Sequence, residues 1–184
     1  MVAEYLTLDG VMEAPGTEPG HPHGGWTLGF DDPARERFEL EETLATETLL
    51  LGATTYEEFA DYWPTQDGPL ADKLNAMPKL VASQTLATVD WTNSKLIDHD
   101  VPAAVAEAKQ GEGGTILVAG SRTLVHTLMR HDLVDEFQLL IFPLVLGSGL
   151  RLFPETIDCR RLHLADTRRF DSGVVVNTYT PNGR

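Results

Sequence analysis

Two short segments carry the residues best suited to hold a phosphate. Leu51-Gly52-Ala53-Thr54-Thr55 and Val118-Ala119-Gly120-Ser121 each place a glycine after an apolar, strand-like run and before a helix-like stretch. A glycine there lets backbone N–H groups and a helix N-terminus approach an anion with no side chain in the way. The same glycine also suits a plain tight turn. Neither segment completes Gly-x-Gly-x-x-Gly or a Gly-Lys-Ser/Thr loop, so an ordinary Rossmann domain or P-loop enzyme is poorly supported. His21 and His23 sit in a Gly/Pro-rich loop with no nearby carboxylate ligand set, and Cys159 is the one cysteine. No metal site and no intrachain disulfide are expected.

The elements that must position these turns alternate along the chain. Residues 2–8 read as a first strand ended by the Asp9-Gly10 turn, and an irregular loop over 13–31 follows. Asp32 then Pro33 has the form of an N-cap and first helical residue, and the helix should run to about Thr46, with Leu40 and Leu44 toward the core and Arg35, Arg37, Glu41 and Glu42 toward solvent. Further strands are predicted at 48–51, 78–83, 96–97, 115–119, 136–142, 161–170 and 174–180. Helices are predicted at 102–110 and 122–131, and a short one after Gly52 in which Thr54 and Glu57 have the spacing of a capping box. Turns at 111–114 and 171–173 separate elements. The rhythm is that of a single α/β domain over residues 1–184.

Composition narrows the partners. The chain has 14 Lys and Arg against 28 Asp and Glu, a formal charge of −14, which repels phosphate backbones and anionic membrane surfaces. No nucleic-acid or membrane partner is expected. No apolar run approaches the roughly 20 residues that span a bilayer, and residues 1–10 lack a signal-peptide pattern, so a reducing, cytoplasmic setting is expected.

Read in order, Leu6-Thr7-Leu8-Asp9-Gly10-Val11, Leu51-Gly52-Ala53-Thr54-Thr55-Tyr56, Lys79-Leu80-Val81-Ala82-Ser83-Gln84-Thr85-Leu86, Val118-Ala119-Gly120-Ser121, Leu133-Val134-Asp135-Glu136, Pro143-Leu144-Val145-Leu146-Gly147-Ser148-Gly149 and Leu152-Phe153 form a consistent series, closed by residues 173–179. The chain resembles the dihydrofolate-reductase-like family, specifically the C-terminal reductase domain of riboflavin biosynthesis in its stand-alone bacterial form. The resemblance implies an α/β fold with a mostly parallel central sheet, flanking helices and an antiparallel C-terminal portion. It also implies hydride transfer from NADPH or NADH to a small pteridine- or pyrimidine-like heterocycle, after the manner of 5-amino-6-(5-phosphoribosylamino)uracil reductase. Dihydrofolate reduction is the alternative reaction, and a non-catalytic ligand-binding protein is the alternative of another class.

By motif position, the resemblance places Gly52, Ala53, Thr54 and Thr55 at the cofactor phosphates, Ser83, Gln84 and Thr85 at its adenosine side, and Gly120, Ser121, Arg122 and Thr123 at the pyrophosphate. Family members commonly carry Arg at the position of Ala53 and often a basic residue at that of Gln84. Both cations are missing here, which weakens the expected preference for a 2′-phosphate, unless Arg122, Lys79 or backbone donors hold it. Asp9 is the candidate proton donor, although Asp before Gly is also an ordinary turn residue. Glu36, ahead of Glu39 on the same helix, is a substrate-side candidate, and Trp26 and Tyr56 offer flat faces for a heterocycle or simply pack. A homodimer is expected from the resemblance and from Leu140, Phe142 and Leu144, read as an apolar face a second copy would cover.

Overall fold

The computed structural model describes residues 1–16, 21–111, 113–153 and 159–182. Residues 17–20 of the 13–31 loop and Glu112 of the turn before the fifth strand lie outside the described residues. Contacts group the chain into two compact units, one of Met1 with residues 37–134 and one of residues 2–36 with 135–184.

In the first unit the strands β2 (Thr46–Gly52), β3 (Lys79–Ala82), β4 (Ser94–Ile97) and β5 (Thr115–Ala119) are parallel, with β2 between β3 and β5 and β4 outside β3. Leu49, Leu50 and Leu51 are each fully buried, so both faces of β2 are covered. Three consecutive leucines are what a doubly covered parallel strand requires, and each contributes roughly 1.5–3 kcal/mol of burial. Helices α2 (Ala53–Tyr62), α3 (Pro69–Ala76), α4 (Val101–Ala108) and α5 (Arg122–Arg130) connect the strands. In α5, Leu124, Val125, Leu128 and Met129 form the buried stripe. The sequence reading did not include α3, an eight-residue helix begun by Gly68 at φ 107° and Pro69.

In the second unit β1 (Val2–Thr7) runs parallel to β6 (Phe137–Phe142), which pairs antiparallel with β8 (Val175–Pro181), itself antiparallel to β7 (Leu162–Arg169). The α/β fold, mostly parallel with an antiparallel C-terminal portion, is as read from the sequence. Leu140 and Phe142 are buried within the chain's own core and Leu144 is half-buried, so the apolar face assigned to a second copy is already covered.

Helix α1 (Pro33–Ala45) starts as expected, with Asp32 Oδ1 accepting from the Ala34 and Arg35 N–H groups at 2.9 and 3.2 Å. Its phase differs from the expectation. Phe38 and Arg35 are buried while Leu44 is 47% exposed. Leu44, six residues past Phe38, is turned by about 120° around the helix from it. The Arg35 guanidinium lies 5.6 Å from the centroid of Phe142 and donates to Phe30 O.

Lys79, at the start of β3, is 1% exposed. Its ammonium donates to the carbonyls of Asn75 (3.0 Å), Met77 (2.8 Å) and Thr92 (2.9 Å) and sits 4.2 Å from the Trp91 ring centroid. It is therefore consumed in closing the entry to β3, and it is not available to a ligand as the sequence reading allowed. Burial pushes its pKa down to about 8 from 10.5. Replacement by methionine, Lys79→Met, leaves three carbonyls without that donor and should destabilise the fold by about 2–4 kcal/mol in denaturant melts near pH 7. Because the folded pKa lies below the unfolded one, the cost of burying the charge is fully present below pH 8 and falls away up to pH 10.5. The parent should thus gain stability relative to the variant across that window, and an unchanged difference would show that Lys79 stays charged when folded.

Candidate active site

The candidate cofactor site is built at the carboxyl ends of three neighbouring parallel strands. Register pairs Gly52 with Ala82 across β2 and β3, and Leu50 with Val118 across β2 and β5. The turns after the three strands are thereby brought side by side, and helices α2 and α5 both begin there.

Two contacts lock the β2 and β5 turns together. The Gly52 N–H donates to Ser121 Oγ at 2.7 Å. Gly120 has φ 62°, and a Cβ on it would stand 2.9 Å from Thr55 Oγ1, so glycine is required by both backbone and space. Ser121 is itself left-handed, at φ 64° and ψ 55°, an uncommon conformation for a side-chain-bearing residue. That conformation lets its hydroxyl serve Gly52 instead of capping its own helix. Neither α2, with Gly52 at its N-cap, nor α5 has a side-chain cap. Helix α2 begins at Ala53, which makes Thr54 the second helical residue; the Thr54–Glu57 capping box is not formed. Two helix N-termini with uncapped N–H groups and positive dipole ends make a fitting seat for an anionic group.

The third turn is self-contained. Ser83 is buried, and its Oγ accepts from the N–H groups of Thr85 at 3.1 Å and Leu86 at 3.0 Å. Gln84 and Thr85 are exposed beside it, Thr54 and Thr123 are exposed at the two helix starts, and Ala53, Gly120 and Arg122 are half-buried. All eleven cofactor-side residues read from the sequence thus lie on three adjacent turns of one unit.

The residues assigned to substrate and proton are differently placed. Asp9 carries hydrogen bonds on both carboxylate oxygens. Oδ1 accepts from the Thr7 hydroxyl (2.6 Å) and the Leu146 N–H (3.2 Å), and Oδ2 from the Gly147 N–H (2.9 Å), with Arg151 Nη2 3.5 Å away. The Thr7 hydroxyl, followed by the Gly147 and Leu146 N–H groups, holds its carboxyl below the usual range against a smaller opposing effect of burial. The geometry makes Asp9 a tie between the first turn and the segment after β6.

Glu13 reinforces that tie, accepting from the Leu150 N–H at 2.9 Å, and Met12 N donates to Leu150 O. The sequence reading had noted Gly147-Ser148-Gly149 only as part of a resemblance. Its juxtaposition with two acidic residues over 130 positions earlier has no local signature.

Trp26 is 7% exposed, its Nε1 donates to Glu13 O at 2.7 Å, and its ring edge packs on Phe142, so it is a core residue and presents no open wall. Tyr56 is likewise buried, its hydroxyl accepting from the Trp91 N–H at 2.9 Å and its ring tilted on Trp91. Glu36 is exposed on the first turn of α1. Among the described residues no group of three or more His, Cys, Asp or Glu side chains is arranged to hold a metal, and no helix is long and apolar enough to cross a membrane.

The RibD C-terminal domain family matches residues 1–176. The chain belongs to this family. It is 30% identical over 183 residues to the uncharacterised YyaP of Bacillus subtilis (strain 168), covering 97% of this chain and 92% of that protein. It is 32% identical over 128 residues to the uncharacterised YwjB of the same organism, covering 70% of each. Among solved structures it is similar to a protein from Shewanella sp. PV-4 assigned to riboflavin biosynthesis, with TM-score 0.76 at 19% identity over 99% of this chain and 98% of that one. A pyrimidine reductase-like protein from Corynebacterium diphtheriae aligns with TM-score 0.68 at 11% identity over 100% and 91%. Membership in a reductase-like family and these neighbours establish a reductase-type fold.

The Asp9 tie is testable by pH. Asp9→Ala should cost about 1.5–3 kcal/mol of stability at pH 7 through lost charge-assisted hydrogen bonds. The folded pKa lies below 3.8, so this contribution is present above that value and is lost as pH falls through the folded pKa. Urea melts of parent and variant should therefore differ at pH 7 and converge as the pH is taken progressively below 3.8. Equal stability at pH 7 would refute the structural role.

Proposed function

We propose that the chain is an NAD(P)H-dependent reductase of a small pteridine- or pyrimidine-like heterocycle, most similar in reaction type to 5-amino-6-(5-phosphoribosylamino)uracil reductase. The observation that carries the reading is the pair of uncapped N-termini of α2 and α5, locked side by side by the Gly52–Ser121 hydrogen bond. Their donors fit the pyrophosphate of a dinucleotide. The nicotinamide supplies the hydride when bound; the chain binds and orients. Residues 52–55 and 120–123 would hold the phosphates, and Ser83, Gln84 and Thr85 would flank the adenosine. A soluble cofactor of this kind fits the cytoplasmic setting read from the composition.

The reading extends to cofactor choice. Ala53 is the first residue of α2 and Gln84 is exposed on the neighbouring turn, so neither offers a cation to an adenosine 2′-phosphate. Lys79 is buried under three carbonyls and offers none either. The protein should discriminate weakly between the two dinucleotides or favour NADH.

Fluorescence titration with both dinucleotides tests the first claim, and binding of neither would remove the reductase reading. Turnover assays on ribosylaminopyrimidines, dihydrofolate and simple imine or quinoid acceptors then separate the candidate substrates. Ala53→Arg with Gln84→Arg should raise NADPH affinity about tenfold or more while NADH affinity changes much less. A parent that already prefers NADPH a hundredfold would overturn this account of specificity.

A further inference from the structure

Helix α2 supplies one of the two N-termini at the candidate cofactor site, and one circuit of side chains grips it at both ends. Near its start, the Tyr56 hydroxyl accepts from the Trp91 N–H at 2.9 Å, and the two rings are tilted against each other with centroids 6.3 Å apart. Past its end, in the 3₁₀ turn Trp63–Thr65, Trp63 O accepts from Asn75 Nδ2 at 3.0 Å. Asn75 Oδ1 in turn accepts from Trp91 Nε1 at 2.8 Å, which closes the circuit from Tyr56 through Trp91 and Asn75 to Trp63. The Lys79 ammonium touches both middle members, donating to Asn75 O at 3.0 Å and standing 4.2 Å from the Trp91 ring centroid. Tyr56, Trp91 and Lys79 are buried. Tyr56 also directly follows Thr55, whose side chain lies against Gly120 at the junction of the two turns.

We propose that Asn75 and Trp91 are positioning residues for dinucleotide binding, holding α2 where its N-terminal donors are needed, and that the charge on Lys79 keeps both of them set. This role rests on the dinucleotide reading above and deepens it with a control remote from the ligand. Backbone donors serve a phosphate only when held within roughly 0.5 Å of their place, and α2 has no side-chain cap to fix its first turn. Its setting is left to the bonds at Tyr56 and Trp63. Three carbonyls and the face of Trp91 all favour a cation between them. Without its proton, Lys79 keeps two N–H donors for three carbonyls and loses its attraction to the ring. Burial brings that loss down to about pH 8. The charged or titratable groups on the surrounding elements are Asp72 and Lys73 on α3, Asp90 ahead of Trp91, Lys95 on β4 and Tyr56 on α2; none of them bonds to Lys79, whose polar partners are all carbonyls.

Dissociation constants of the full chain for NADH and NADPH, read from the dinucleotide's own fluorescence, test this. Asn75→Ala and Trp91→Phe each open the circuit and should weaken both dinucleotides about fivefold at pH 7. The double variant should lose no more than Asn75→Ala alone, because the two residues share one bond. If Asn75→Ala does not fold, Trp91→Phe, which gives up a single hydrogen bond, decides. Val105→Ala truncates a buried side chain on α4 outside the circuit, so it should lower stability and leave both constants unchanged; an equal weakening there would mean general loosening and overturns the positioning role. As pH rises from 7 through about 8 and beyond, the parent's constants should increase about threefold, and in Trp91→Phe with Asn75→Ala the increase should disappear. A flat profile in the parent overturns the part given to Lys79. Unchanged constants in folded Asn75→Ala and Trp91→Phe overturn the proposal while the reductase reading stands; a parent that binds neither dinucleotide removes that reading and the proposal with it.

Discussion

Two parallel strands, β2 and β5, deliver their chains to nearly the same place, and each must turn into a helix there without colliding with the other. The Gly52 N–H and the Ser121 hydroxyl solve this together: one donor needs an acceptor, and the acceptor has to come from the adjacent turn. For the hydroxyl to reach back, Gly120 and Ser121 both take left-handed conformations, and Thr55 fills the space a Cβ on Gly120 would claim. Helix α5 thereby forgoes a side-chain cap, an interaction typically contributing about 1 kcal/mol. The uncapped donors of both helices are the physical basis for reading this end of the strands as a phosphate seat.

Backbone amides are also what organise the acidic residues of the second unit. Asp32 caps α1 with one oxygen and accepts the Ser172 N–H with the other at 2.9 Å, and that backbone bond is the leading reason its carboxyl is held below the ordinary range. Asp9 and Glu13 do the same for the segment after β6. A chain of formal charge −14 thus places some of its carboxylates as acceptors for N–H groups that no strand or helix satisfies. In the first unit the corresponding work on carbonyls is performed by Lys79, whose three acceptors and neighbouring Trp91 connect the end of α3 to the start of β3.

The family and the mostly parallel fold were legible because they rest on short-range signals: β-branched and leucine-rich runs, glycine after a strand, Asp-Pro before a helix. The three turns after β2, β3 and β5 were legible as turns for the same reason, and parallel register then brought them together. Leu44 was misread, and for Trp26 and Tyr56 the packed alternative is the one the structure shows, because residue type says little about which way a side chain points. Trp26 and Tyr56 are amphipathic rings whose polar atoms found backbone partners inside the core, and Leu44 was turned out by the phase that Phe38 set for α1.

By itself the sequence determined the order of elements, the glycines at the strand ends and the absence of the two expected cations, since each is a property of neighbouring residues or of one position. Only the tertiary structure decided the ties from Asp9 to Leu146 and Gly147, the loss of Lys79 to the core and the use of Ser121 as an acceptor for Gly52. Each of those depends on a partner brought close by strand pairing, 137 to 138 residues away for Asp9 and 69 for Ser121, or, for Lys79, on burial against carbonyls. A hydrogen bond requires approach within about 3 Å, and no local pattern in a chain specifies which distant backbone group will arrive there.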